Sequence, residues 1–441
     1  PRLGRGPRFP AGSAETPPKV EVVGDSRCAG PVTADLFADL HDHVTTWKQD
    51  AHNIAGMDVY KIARTASVLA AVGSAAALAG CSSDPAPEAG SDERAAAAYT
   101  TDLSGICPDT VVIQTGWFPQ PERGYLYQLI GTEGVVDVDK GAYVGPLGST
   151  GVDLEVRVGG PYVGDQSAVS MLYQDPDILL GEVNTDEALN LNAEFPTVSV
   201  FAPLEQSPQV LLWDPEKHEF GSMADIGASG LPVLVYGSDD PWVTYFVEEG
   251  QLTAAQIDDS YDGSPSRLVA SGGDVVQQGY VTSEPYTYQH DFPEWGQPVD
   301  SLLLAEAGYN PYENALGATP ETLEQRRDCL AGLVPLLQQA QVDYISDPAP
   351  MNERLVSIVE ELASSWTLTL DANEFATETM RERGVVGNGA DGTLGNFDPA
   401  RVAEFAALVT PILAESNPDF VPVDDPAVVY TNEFIDPEIG L

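Results

Sequence analysis

Gln114-Thr115-Gly116-Trp117-Phe118-Pro119-Gln120-Pro121-Glu122-Arg123-Gly124 closes the alternating, β-rich run that begins at Thr110. A strand over Thr110 to Thr115 ends in two adjacent aromatics. A proline-punctuated turn then opens a helix carrying Tyr125 and Tyr127. Strand, sharp turn and helix is how an α/β unit begins. Rings at a strand end that face a cleft can sandwich a flat ligand, with Gln114 and Glu122 on its polar edge. Core packing of Trp117 or Phe118 is the competing reading. It suits one ring better than both, because neighbouring residues of an extended chain point to opposite sides.

Working outward, Asp153 to Val158, Asp177 to Leu180 and Val198 to Phe201 read as further strands separated by helical stretches. That alternation predicts an α/β architecture with largely parallel sheets. Gln209 to Trp213 carries the chain into a second series. This series has strands at Pro232 to Tyr236, Gly279 to Ser283 and Val299 to Ala305, and a helix over Pro241 to Glu249. From Thr319, a good N-cap ahead of Pro320, the chain becomes helical. Leu323, Leu330, Leu333, Val334 and Leu337 mark one apolar face, and Asn352 to Ser365 forms another helix. Asp398-Pro399 starts a last one, with Val402, Phe405, Leu408 and Ile412 on one side. The expected fold is a two-lobed α/β clamshell with lobe I over 109–206 plus 312–441 and lobe II over 207–311. Its ligand cleft would lie between the lobes.

Ahead of this lies an address. Lys61 and Arg64 precede the apolar run Ala66 to Leu78, and Leu78-Ala79-Gly80-Cys81 follows. Basic, apolar and small segments in that order make a secretory signal, here 57–80. The run is short of the roughly 20 apolar residues that span a bilayer. A buried Ala-rich helix is the alternative. Ser82 to Ala98 reads as a linker, within a flexible segment 81–108 that opens on Cys81. The first methionine is Met57, and 1–56 is expected to be a misassigned start or an artefactual extension, the alternative being a cytoplasmic extension.

Through Gly80 the eight basic and eight acidic residues cancel, so the entire net charge of −48 lies beyond it. Such a surface repels nucleic acid phosphates, so no nucleic-acid partner is expected. Cys107 and Cys329 remain as an even pair that can form a disulfide in an oxidising compartment or stay as buried thiols. His218 and His290 are the only histidines after Gly80. No metal site, cofactor or catalytic residue is expected. Gly387-x-Gly389-x-x-Gly392 follows a helical Arg/Glu segment instead of a strand, so it reads as a loop.

Several of these segments, in order, resemble the solute receptors of bacterial ABC importers in the thiamine-precursor, nitrate, sulfonate and taurine group. Trp117-Phe118-Pro119 is similar to that family's W-[FW]-P element. Asp177-Ile178-Leu179-Leu180-Gly181 with Asn184-Thr185-Asp186 resembles its "D-I-G-I-G" strand and ligand-facing turn. Ser207-Pro208-Gln209, Trp213-Asp214-Pro215, Ser260-Tyr261-Asp262-Gly263, Gln278-Gly279-Tyr280, Ser283-Glu284-Pro285-Tyr286 and Asn432-Glu433-Phe434 continue the likeness. Leu78 to Cys81 resembles the lipobox of bacterial lipoproteins.

The resemblance implies a type II periplasmic-binding-protein fold, a lipid anchor on Cys81 and an extracytoplasmic location at the bacterial cell membrane. It also implies an ABC permease as partner, a monomer, and capture of a small flat or heteroaromatic molecule like a thiamine precursor. Thiamine-precursor receptors show Asp before the Trp and His after the Pro-acid pair; this chain has Gly116 and Arg123. Arg123 can meet a carboxylate, phosphate or sulfonate bidentately, or pair with an acid of the protein. A receptor for a sulfonate or taurine, and a secreted α/β enzyme, are the alternatives. The expected ligand-binding set is Gln114, Trp117, Phe118, Glu122, Arg123, Asn184, Thr185, Asp186, Tyr236, Tyr245, Tyr280, Glu284 and Tyr286. Tyr261 reads as a turn residue.

Overall fold

The computed structural model describes residues 99–441 apart from Asp239, Asp262 and Ser365. The segments expected as an extension (1–56) and a signal peptide (57–80), and the expected lipidation site Cys81, lie outside the described residues.

Two mixed sheets organise the chain. The first has seven strands in the order β2-β3-β4-β1-β5-β12-β6. They are β1 (Thr110–Gln114), β2 (Val135–Asp137), β3 (Ala142–Pro146), β4 (Asp153–Arg157), β5 (Ile178–Val183), β6 (Val198–Phe201) and β12 (Ala315–Ala318). The second runs β11-β7-β10-β8-β9, with β7 (Gln209–Trp213), β8 (Val233–Leu234), β9 (Ile257–Asp258), β10 (Val276–Tyr280) and β11 (Asp300–Leu303). The protein is thus a two-lobed α/β structure, each lobe built on its own sheet.

The sheets are less parallel than the sequence suggests. β1 runs parallel to β4 and β5. β2, β3 and β4 form an antiparallel meander, and β12 pairs antiparallel with both β5 and β6. The reason is connectivity. Gly141 takes φ 64° in a tight turn that folds β3 back on β2, and β12 enters the first sheet from the other lobe.

Alternation along β1 builds both faces of the first lobe. Val111 and Ile113 pack with Tyr125, Leu126, Leu330, Leu333, Val334 and Leu337. These come from helix α1 (Gly124–Ile130) and the long helix α2 (Arg327–Ser346). Val112 faces the opposite way, toward Val169, Leu172, Val402, Phe405 and Val409, the last three on helix α4 (Pro399–Ser416). Asp398 caps α4 by accepting from the Ala400 N–H at 2.8 Å. Thr319 caps a short helix, Pro320–Gln325, that ends before α2 begins. A further helix, α3 (Leu370–Glu382), is capped by Thr369.

Several bounds shift. The stretch read as a strand from Gly279 to Ser283 is β10 at Val276–Tyr280 followed by a turn. The strand read over Pro232 to Tyr236 shortens to two residues. Gly387 to Gly392 lies in a loop.

A disulfide joins Cys107, just before β1, to Cys329 in the first turn of α2, 222 residues away. It links the leading edge of the sheet to the helix that covers it. Replacing both cysteines by serine is expected to cost about 2–5 kcal/mol, because the unfolded chain regains the freedom of a long loop. Urea denaturation of the double variant beside the oxidised wild type checks this.

Candidate functional site

The end of β1 sets the first wall of the site. Beyond Gln114 the Thr115 hydroxyl donates to the carbonyls of Trp117 and Arg157, each at 2.8 Å, and turns the chain out of the sheet. Trp117 then lies against Gly160. A Cβ built there would sit 2.5 Å from the Trp117 ring, and φ at Gly160 is +61°. Only glycine meets both demands. Gly160→Ala is expected to displace the Trp117 ring and to lower stability by about 1–3 kcal/mol. Urea denaturation of the variant beside wild type reads this.

A second wall comes from the chain between α2 and α4. Trp366 stacks parallel on Phe118, with centroids 5.5 Å apart and planes at 2°. It stands edge-on to Trp117 at 6.0 Å. Leu368, Ala372, Asn373 and Ala376 continue this wall. The second lobe supplies the third wall, from Tyr236, Tyr261, Gln278, Tyr280 and Glu284. Together they enclose a cavity of about 490 Å³ between the two sheets. Tyr236 is 55% exposed at its mouth.

Hydrogen bonds fix the polar lining. The Glu284 carboxylate accepts from the Tyr280 N–H at 2.6 Å. A Cβ at Gly279 would come within 2.9 Å of the Glu284 carboxyl carbon, so the absence of a side chain there gives Glu284 its place. Burial, reinforced by the negative charge of Glu122, raises the Glu284 pKa to about 7. Glu122, itself buried, accepts a hydrogen bond from the Thr282 hydroxyl and so joins the lobes across the cavity. The Tyr280 hydroxyl donates to Glu313, whose carboxylate also accepts from the Ser207 hydroxyl and from Gln209. Glu313 therefore ties the cavity wall to both crossovers between lobes, 202–208 and 304–314.

Of the residues singled out in the sequence, Trp117, Phe118, Glu122, Tyr236, Tyr280 and Glu284 line this cavity. The others stand elsewhere. Gln114 is fully buried, with its amide donating to the carbonyls of Thr115 and Val158. Arg123 turns into the first lobe, where its guanidinium donates to Glu182 at 2.7 and 3.1 Å and to Asn314 at 3.2 Å. The Glu182 carboxylate also accepts from the Gly116 N–H at 2.6 Å. The cation that the sequence offered to an anionic ligand is thus held by a core carboxylate.

Asn184, Thr185 and Asp186 brace the second crossover. They bond the Asn314 N–H at 2.9 Å, the Tyr312 N–H at 3.1 Å and the Tyr309 hydroxyl at 2.7 Å. Tyr245 packs on Phe246 and Tyr309. Tyr286 packs on His290 and on Phe375 of α3. Neither lines the cavity.

Sequence reasoning missed Trp366, Leu368 and Asn373, and it assigned Tyr261 to a turn. A lone Trp just ahead of a Thr N-cap is the only local signal for the missed wall. Among the described residues no group of three or more His, Cys, Asp or Glu could hold a metal ion. Nor is any helix long and apolar enough to cross a membrane.

No family model matches the chain, and no curated protein does. Among solved structures it is similar to the periplasmic aliphatic sulphonate binding protein SsuA from Escherichia coli. That match has 15% identity and a TM-score of 0.47, and covers 75% of this chain and 94% of that one. The alkanesulfonate-binding protein SsuA from Xanthomonas axonopodis pv. citri, bound to MOPS, matches at 14% and 0.46, covering 74% and 99%. The desulfurization enzyme DSZB matches at 13% and 0.40, covering 74% and 97%. Binding proteins and an enzyme stand side by side in this set, and what each binds or converts is a property of that protein.

Proposed function

We propose that the chain is a solute receptor of an ABC importer, held at the extracytoplasmic face of a bacterial membrane by a lipid on Cys81. It works as a monomer and captures a small flat or heteroaromatic molecule by closure of its two lobes. The observation that carries this reading is the interlobe cavity. Rings from the first lobe and from the second converge on it, and a hydrogen-bonded hinge lies behind it. A flat ligand between Trp117 and the second-lobe tyrosines would bridge the lobes and stabilise the closed form, which a permease can recognise. The run Leu78 to Cys81 supports the anchor. A tether of that kind raises the receptor's effective concentration at its permease.

A thermal-shift panel of pyrimidines, thiamine, riboflavin, taurine, alkyl sulfonates and nitrate tests the reading. A ligand at a hundred times its Kd adds about 2.7 kcal/mol. A binder should raise the melting temperature by several degrees and reduce the radius of gyration in solution scattering. Trp117→Ala should remove both effects. Turnover of a panel member would favour the enzyme reading instead. Lipid labelling of the full chain, lost in Cys81→Ala, tests the anchor separately.

A further inference from the structure

We propose that the cavity selects an organic cation: a flat aromatic body bearing a protonated or quaternary nitrogen. This rests on reading the cavity as a solute site and names the ligand's charge.

Glu122, Asp240 and Glu284 line the cavity, and no lysine, arginine or histidine does so among the described residues. Arg123, the neighbour of Glu122 in sequence, is turned away and held by Glu182. An anion placed here would meet acidic side chains and no basic one on the lining, whereas a cation would gain from them. The walls suit the same choice. Trp117, Tyr236, Tyr261 and Trp366 all line the cavity, and a desolvated cation gains from aromatic neighbours.

Asn373 provides a second, independent observation. It is 1% exposed and lines the cavity. Its amide nitrogen donates to the Asn352 carbonyl at 3.0 Å, while its carbonyl oxygen has no hydrogen-bond partner. A buried acceptor without a donor is costly, and the N–H of a protonated ligand would satisfy it, while a quaternary ligand would leave it unmet. The acidic surface adds a long-range component, because a charge of −48 draws cations toward the cleft and repels anions.

Calorimetric titration of the protein with three probes of similar shape decides the matter. They are N-methylquinolinium, methylquinoline in its neutral form, and naphthalenesulfonate. The expected order is cation, then neutral with at least tenfold weaker affinity, then no detectable binding of the sulfonate. Glu284→Gln and Asp240→Asn should each weaken the cation at least threefold and leave the neutral probe within twofold. Two variants on different segments guard against one of them failing to fold. Equal or tighter binding of the neutral or sulfonate probe, with lobe closure seen in scattering, overturns the charge assignment and leaves the receptor reading standing. Absence of any cation binding also overturns it, and the wider panel then judges the receptor reading alone.

Discussion

Arg401→Ala is expected to lower stability by about 2–4 kcal/mol and to broaden the distribution of lobe arrangements in solution. The reason is the number of hinge groups one side chain holds. The guanidinium donates to the Glu205 carbonyl at 2.6 Å, to the Asn310 carbonyl at 3.3 Å and to the Pro311 carbonyl at 3.1 Å. It also lies over the Tyr312 ring, 3.8 Å from its centroid, and pairs with the Glu205 carboxylate at 3.3 Å. Glu205 belongs to the first crossover and the other three to the second, so Arg401 fastens the two strands of the hinge side by side from the start of α4. Alanine would leave three carbonyls without their donor in a partly buried place, where each lost charge-assisted bond matters.

Lysine keeps the charge but offers a point donor instead of a fork, and it stacks less well on a ring. Arg401→Lys is therefore expected to recover less than half of the loss. Urea midpoints report the stability, and small-angle scattering with and without ligand reports the lobe arrangement. An alanine variant with an unchanged midpoint and unchanged scattering would show that the hinge is held by Glu313 and its partners alone.

The parts of this fold that were legible in the sequence are those set by short-range chemistry. The alternation of Thr110–Gln114 gave β1, and the Asp398-Pro399 cap gave the start of α4. The periodic leucines of α2 face the sheet because only that face finds apolar partners. Elements whose existence depends on a distant partner were read poorly. β8 is only two residues long, and its ladder is set by distant partners, Val276 and Gln277 of β10 and Ile257 and Asp258 of β9. The hairpin β2–β3, with Val135 and Val136 opposite Val144 and Tyr143, adds to the edge of the first sheet through its pairing with β4.

The site divides along the same line. Trp117, Phe118 and Glu122 share one turn and could be read together. Trp366 and Asn373 reach the cavity only because α3 packs back beside that turn, a contact spanning about 250 residues of sequence. Arg123 shows the complementary difficulty. A guanidinium beside an aromatic turn suits an anionic ligand and a core carboxylate equally well in sequence. The choice fell to Glu182 because its place on β5, next to β1, brings it within 2.7 Å.

Affinity for N-methylquinolinium is expected to fall as pH drops below 7, toward a lower plateau set by the neutral carboxyl, and to be level above it. This permanently charged probe does not titrate, so the slope belongs to the protein. Glu284 has a pKa raised from 4.5 to about 7, by burial first and by Glu122 next. Between those values the folded protein without ligand holds a proton that the unfolded chain has lost. The favourable contribution of Glu284 to folding is therefore complete below pH 4.5 and disappears as pH rises through 7. A cation in the cavity stabilises the carboxylate and lowers its pKa, so binding releases a proton below pH 7 and none above.

At pH 5 about 1% of Glu284 is ionised, so the affinity there should approach that of Glu284→Gln, at least threefold below its value at pH 8. The groups facing it are Glu122 across the cavity, Tyr280 on β10, and Tyr288 in the turn that follows. Glu284→Gln removes the titrating group while keeping its shape, and should bind the probe with an affinity nearly constant from pH 5 to 8. The same variant should gain stability relative to wild type as pH rises through 7, because it no longer carries a buried charge. A wild-type profile that is flat, or a glutamine variant with the wild-type slope, would assign the proton to another group and remove Glu284 from the ligand's charge recognition.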